Sequence, residues 1–266
     1  MAKDYVADYH MHTNHSSDSR YKMEQVVKDA IRLGLDEICF TDHTDYRGPA
    51  ATTAPNFKKY FAEIESMQRK YGRKIAIKKG LEFGMQTHTV PRYLDIIAKY
   101  PLDFVILSVH QINNQGFWAG TYQRGKKKAE YVHDYYQEIL SLIQMFDDYS
   151  VLGHLDLIRR YCDGREPVLA DHRDIIVEIL ETVIKKGKGI DLNTSHIRYG
   201  LADWMPARDI LALYHDLGGK VITVGSDSHH QDHLGFYIKE GRELLKEIGF
   251  TEFCTFDRMQ PKFHKL

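Results

Sequence analysis

Short apolar runs alternate seven times with longer stretches whose apolar residues recur at helical spacing. The run at residues 5–9 precedes a helical pattern over residues 22–33, which Gly34 stops. Residues 37–41 precede an amphipathic stretch over 56–71, stopped by Gly72. A run over 75–82 leads to a helix over 92–99, closed by Pro101. Residues 104–109 read as a buried strand, followed after a loop by a long helix over 129–146. Residues 151–154 lead through a polar loop to a helix over 172–186. The run 189–192 leads to a helix over 206–217, and the run 221–224 to a last helix over 236–248. Residues 253–256 are a candidate short extra strand.

β-rich runs separated by helices of this length indicate βα units and parallel pairing. Seven units with no Ser/Gly-rich linker, repeat or composition break predict one closed or nearly closed α/β barrel spanning residues 1–266 as a single domain. The longest stretches without a pattern, 111–128 and 158–171, both follow strands, on the side where a βα barrel builds its active site.

Composition narrows the function classes. Net charge is −1, so no bulk electrostatic case exists for nucleic acid or a membrane surface. The basic run at residues 124–128 reads as a solvated loop. No apolar run approaches the roughly 18 residues of a membrane span, and the start at residues 1–4 has no apolar leader pattern. The three cysteines, Cys39, Cys162 and Cys254, are few and widely spaced, which points to a reducing, cytoplasmic compartment.

The fifteen histidines matter through their positions. His10 and His12 are two apart, so they share a face of an extended chain. The second strand ends at Asp42 and His43, and the third at Glu82. The fourth ends at His110, the fifth at His154 and the seventh at Asp227 and His229. Imidazoles and carboxylates collected on one barrel face, without thiolates, suit zinc, iron or manganese.

These residues, with Asp18 after the first strand, resemble the pattern of the PHP superfamily (polymerase and histidinol phosphatase), and specifically of its histidinol-phosphatases, over essentially the whole chain. The resemblance implies a distorted (β/α)7 TIM-like barrel, the PHP fold, with three divalent metal ions. It implies one metal on His10, His12 and Asp227, and Glu82 bridging it to a second on His110 and His154. A third falls to Asp18, His43 and His229, with His15 as the alternative to Asp18. The activity implied is a phosphomonoesterase that hydrolyses L-histidinol phosphate in histidine biosynthesis. Water activated by the Glu82-bridged metals would attack phosphorus in line, without a covalent phosphoenzyme.

A phosphomonoester dianion also calls for a guanidinium fork. Arg160 in the fifth loop and Arg198 after the sixth strand are the candidates, with Arg159 facing elsewhere. Asp42, His196 and His230 are candidate proton donors to the leaving group, and Asp42 equally a partner that orients a ligand histidine. Trp118 and Tyr122 are candidates to stack on an imidazole ring, or else pack their loop against the barrel. The rival readings are a PHP phosphoesterase acting on nucleotides or phosphodiesters, a non-catalytic PHP module, and an amidohydrolase. The last would usually need a lysine that does not occur at the matching strand ends. Oligomeric state is not legible.

Overall fold

The computed structural model describes residues 4–48, 51–162 and 169–266, so part of the expected fifth loop, residues 163–168, lies outside the described residues, as does the start, residues 1–3. The elements begin β1 (Ala7–Asp8), α1 (Met23–Leu33), β2 (Glu37–Phe40), β3 (His43–Arg47), β4 (Ala51–Thr53), α2 (Phe57–Tyr71) and β5 (Ala76–Gly84). They continue α3 (Val90–Lys99), β6 (Phe104–Ser108), β7 (Gln111–Ile112), β8 (Gln115–Gly116), α4 (Lys128–Met145) and β9 (Val151–Leu152). The remainder are α5 (Leu169–Lys185), β10 (Gly189–Asn193), α6 (Arg208–Asp216), β11 (Ile222–Gly225), α7 (Ile238–Ile248), β12 (Glu252–Asp257) and β13 (Gln260–Lys265).

Local chemistry explains the helix ends. Gly34, at φ 77°, donates its N–H to the carbonyls of Ala30 and Ile31 and closes α1. Asn56 caps α2 by accepting from the Lys59 N–H, and Tyr60, Phe61, Ile64 and Met67 turn one face of that helix inward.

The strands β1, β2, β5, β6, β9, β10 and β11 lie side by side in that order, and their pairings are parallel. The two ends of the row meet. Tyr9 N–H donates to the Val224 carbonyl at 3.0 Å, Asp227 N–H donates to the His10 carbonyl at 2.7 Å, and Met11 bridges Ser228. The result is a distorted (β/α)7 barrel whose helices pack in succession around it, α1 on α2, α4 on α5, α5 on α6 and α6 on α7. Among the described residues no helix is long and apolar enough to cross a membrane.

Three hairpins depart from the simple alternation. β3 follows β2 after two residues and pairs with the C-terminal half of β5, placing His43 opposite Glu82. It then turns back as β4. β7 and β8 form a small hairpin inside the loop expected to be patternless. The expected extra strand is the first arm of the antiparallel β12–β13 hairpin. That hairpin covers the N-terminal end of the barrel, where Phe256 meets Phe104 at 5.0 Å between ring centroids and its N–H donates to the Tyr9 hydroxyl.

Candidate metal centre

Every ligand-type residue sits at or just beyond the C-terminal end of a barrel strand. His10 and His12 follow β1, Glu82 lies near the end of β5, and His110 and His154 follow β6 and β9. Asp227 and His229 follow β11, His43 opens β3, and Asp18 comes from the loop after β1. Two of these residues need unusual backbone: His154 has φ 27° and Asp227 φ 54°, a region that L-residues adopt when the surroundings enforce it.

Glu82 lies at the middle of the group. Its Oε1 is 2.9 Å from His154 Nε2 and 3.2 Å from His110 Nε2. Its Oε2 is 2.9 Å from His43 Nδ1 and 3.5 Å from Nε2 of both His10 and His12. Asp227 Oδ1 lies 3.5 Å from His12 Nε2 and 3.7 Å from His10 Nε2. Asp18 Oδ2 is 3.4 Å from His43 Nε2 and 3.3 Å from His229 Nε2. His15 points away, its Nε2 2.8 Å from Glu63.

Such a set fits divalent cations. The buried atoms His10 Nε2, His12 Nε2 and Glu82 Oε2 have no hydrogen-bond partner, although buried polar atoms nearly always have one. They also point at one another, and four triads drawn from this cluster bring nitrogen and oxygen donors within metal-binding reach. The electrostatics agree. Burial raises the Glu82 carboxyl, but His43, His10 and His110 hold it well below the ordinary range. Asp227 is likewise raised by burial and pulled well below by His10, His12 and Arg160. Burial lowers His110, and Asp45 and Glu82 more than reverse that, carrying it to about 9.

Further side chains fix the ring orientations. His10 Nδ1 meets Asp191 at 3.0 Å, and Thr223 donates to the other oxygen of that carboxylate at 2.7 Å. His110 Nδ1 meets Asp45 at 2.8 Å. A Cβ on Gly84 would overlap both Asp45 and His110, so that position must be glycine. Ser16 Oγ donates to Asp42 at 2.8 Å and contacts His12 Nδ1 at 3.3 Å and the His43 N–H at 3.0 Å. Neither Asp45 nor Asp191 was singled out from the sequence. The signals were there: Asp45 is two residues beyond His43 on the same strand face, and Asp191 is a carboxylate inside an apolar run.

A cavity of about 340 Å³ opens over the cluster, lined among others by Arg47, Trp118, Leu157, Arg160, Tyr161 and Tyr199. Arg160 Nη2 donates to Ser195 Oγ at 2.8 Å and Asp227 Oδ2 at 3.0 Å, and its guanidinium lies 3.7 Å from the Tyr199 ring centre. Arg159 is turned into the protein interior. Arg198 does not line the cavity: its Nη2 donates to the Ser226 and Asp227 carbonyls, both at 2.8 Å. Trp118 lines it, with the Arg47 guanidinium 4.4 Å from its ring centre. Tyr122 does not; its hydroxyl donates to Asp134 and its ring packs on Phe117. The three candidate proton donors are also set back from the cavity wall. Asp42 is buried among Thr13 and Ser16 donors. His196 packs on Trp204, tilted by 39° with ring centroids 4.3 Å apart, and His230 is exposed beside Asp232.

The PHP domain family model matches residues 8–195. The chain belongs to the PHP domain family. It is 36% identical to the histidinol-phosphatase of Lactococcus lactis over 256 residues, 95% of each chain. It is 27% identical to a probable histidinol-phosphatase of Thermotoga maritima, covering 95% of this chain and 96% of that one. The crystal structure of the Lactococcus lactis histidinol phosphate phosphatase, complexed with zinc, L-histidinol and phosphate, superposes with a TM-score of 0.90 at 35% identity, covering 98% of this chain and all of that one. The crystal structure of a putative histidinol phosphatase from Listeria monocytogenes also matches in fold, with a TM-score of 0.74 at 20% identity, covering 86% of this chain and 97% of that one.

Proposed function

We propose that the chain acts as one metal-dependent phosphomonoesterase unit, hydrolysing L-histidinol phosphate to L-histidinol and inorganic phosphate in histidine biosynthesis. The observation that carries this reading is the near-complete superposition on a phosphatase that holds zinc, L-histidinol and phosphate. The cavity above the histidine–carboxylate cluster supports it, because its size suits a small phosphomonoester.

Three divalent ions are assigned. His10, His12 and Asp227 would hold one, Glu82 with His110 and His154 another, and Asp18, His43 and His229 the third. Zinc suits these nitrogen and oxygen donors, as iron and manganese do. Bound there, the ions would polarise phosphoryl oxygens and lower the pKa of water. Glu82 and Asp227, held ionised by their histidines, keep the cluster's charge compatible with divalent cations. Arg160 faces the cavity with its buried Nε unpartnered, and so retains donor capacity for a phosphate oxygen. Arg198 holds the turn that bears Asp227 through the Ser226 and Asp227 carbonyls. Trp118 forms the outer wall against which the imidazole end of the substrate packs. Asp42 acts through Ser16 on His12 and His43. The buried thiols Cys39, Cys162 and Cys254 suit a cytoplasmic enzyme.

Arg160→Met tests the phosphate assignment. The expected result is a loss of about 100-fold or more in kcat/KM for L-histidinol phosphate, as for other buried charged hydrogen-bond partners. Full activity in that variant would remove Arg160 from phosphate binding.

A further inference from the structure

We propose that the buried Asp156–Arg159 ion pair is a positioning device that holds Arg160 in the phosphate-binding cavity; the proposal rests on the assignment of Arg160 to phosphate made above. The short 3-10 turn Leu157–Tyr161 carries both arginines. Neighbouring side chains on such a turn diverge by about 120°, so Arg159 enters the interior while Arg160 lines the cavity. Arg159 Nη1 donates to Asp156 Oδ2 at 2.6 Å and to the Trp204 carbonyl at 2.9 Å. The same Asp156 oxygen accepts the Ala207 N–H at 2.9 Å. The pair therefore ties the turn bearing Arg160 to residues 204–207, beyond β10.

Besides Asp227 Oδ2 after β11, two further restraints on Arg160 come from that same side. Ser195 accepts its Nη2 and the Tyr199 ring stacks on its guanidinium. Both lie in the turn Thr194–Tyr199, where His196 packs on Trp204. If the two loops shift, Arg160 loses its register with Ser195 and Asp227 together.

Energetics separate this role from plain stabilisation. Burying two charges costs more than their attraction repays unless the remaining polar atoms are satisfied. Here Asp156 Oδ1 and Arg159 Nε and Nη2 have no hydrogen-bond partner, nor does the hydroxyl of Tyr136 near them. Two apolar side chains would fill the space at little cost in stability. They would not fix the distance and direction between the loops.

The test is calorimetric titration of zinc-loaded protein with inorganic phosphate, alongside steady-state kinetics, thermal midpoint and metal content. Asp156→Leu combined with Arg159→Met should keep metal content and thermal midpoint while weakening phosphate binding about tenfold. KM for L-histidinol phosphate should rise more than kcat falls. Unchanged phosphate affinity in that folded, metal-loaded variant overturns the proposal. Should the double variant fail to fold, Arg159→Lys decides: it keeps the charge but not the two-point reach to Asp156 and Trp204. A weakening of threefold or more supports the proposal, and unchanged affinity overturns it. Arg160→Met, measured in parallel, should weaken phosphate binding at least as much as the double variant. If it leaves phosphate affinity intact, the phosphate role of Arg160 fails, and the positioning proposal with it.

Discussion

Glu82 is surrounded by histidines from different strands, and its charge is what makes their convergence tolerable. Glu82→Gln keeps the shape and removes the charge. Metal content measured by elemental analysis should fall, and kcat/KM should drop by at least about 100-fold. Asp45→Ala, which frees the His110 ring, should cost about 10–100-fold in metal affinity with little change in fold. His110 also sets a pH dependence. Its folded pKa of about 9 lies above the ordinary 6.5, so it stabilises the metal-free protein fully below about pH 6.5, and that contribution is lost as pH rises through about 9. The thermal midpoint of chelated protein should fall across this interval, and fall less in His110→Ala. The ligand-type residues other than Asp18, which lies in the loop after β1, were legible in the sequence because each follows an apolar run. Which ring each orienting carboxylate meets was not, because Asp45 meets His110 across 65 positions of chain and Asp191 meets His10 across 181.

At the scale of elements, two hairpins overhang the cavity. The segment from β3 to β4 supplies Arg47, and the one from β7 to β8 leads to Trp118. They are joined by the Gly48 N–H donating to Asn114 Oδ1 at 2.8 Å and by the Arg47–Trp118 stack. A Cβ on Gly116 would collide with the Trp118 indole, so glycine makes room for it there. This wall should favour a small substrate with a flat ring. Trp118→Ala should raise KM for L-histidinol phosphate about tenfold, the scale of one lost aromatic contact with its buried area, while leaving turnover of a ring-free alkyl phosphomonoester within about twofold. Equal losses on both substrates would contradict that role. The hairpins escaped the sequence because β3 carries charged residues on a short strand and β7 and β8 hold two residues each. Such segments lack a readable period. The helices were legible to within three residues at each end, because Gly34 and Asn56 mark their boundaries chemically.

At the scale of the molecule, the barrel brings loops separated by more than two hundred residues to one face, as the contact of His10 with Asp227 shows. Divalent ions that bind the folded state alone add stability by mass action. Chelation should therefore lower the thermal midpoint by roughly 8 °C for a chain of this size, and zinc should restore it. The (β/α)7 rhythm was legible because buried parallel strands read as continuous apolar runs. The particular bonds that close β1 on β11 were not, because they join residues at the two ends of the chain. The most direct measurement is initial-rate phosphate release by metal-replete protein from L-histidinol phosphate, an aryl phosphomonoester and an aryl phosphodiester. Values of kcat/KM of about 10⁴ M⁻¹s⁻¹ or more for L-histidinol phosphate, with the other two far below, are predicted. Comparable weak turnover of all three would contradict the assignment.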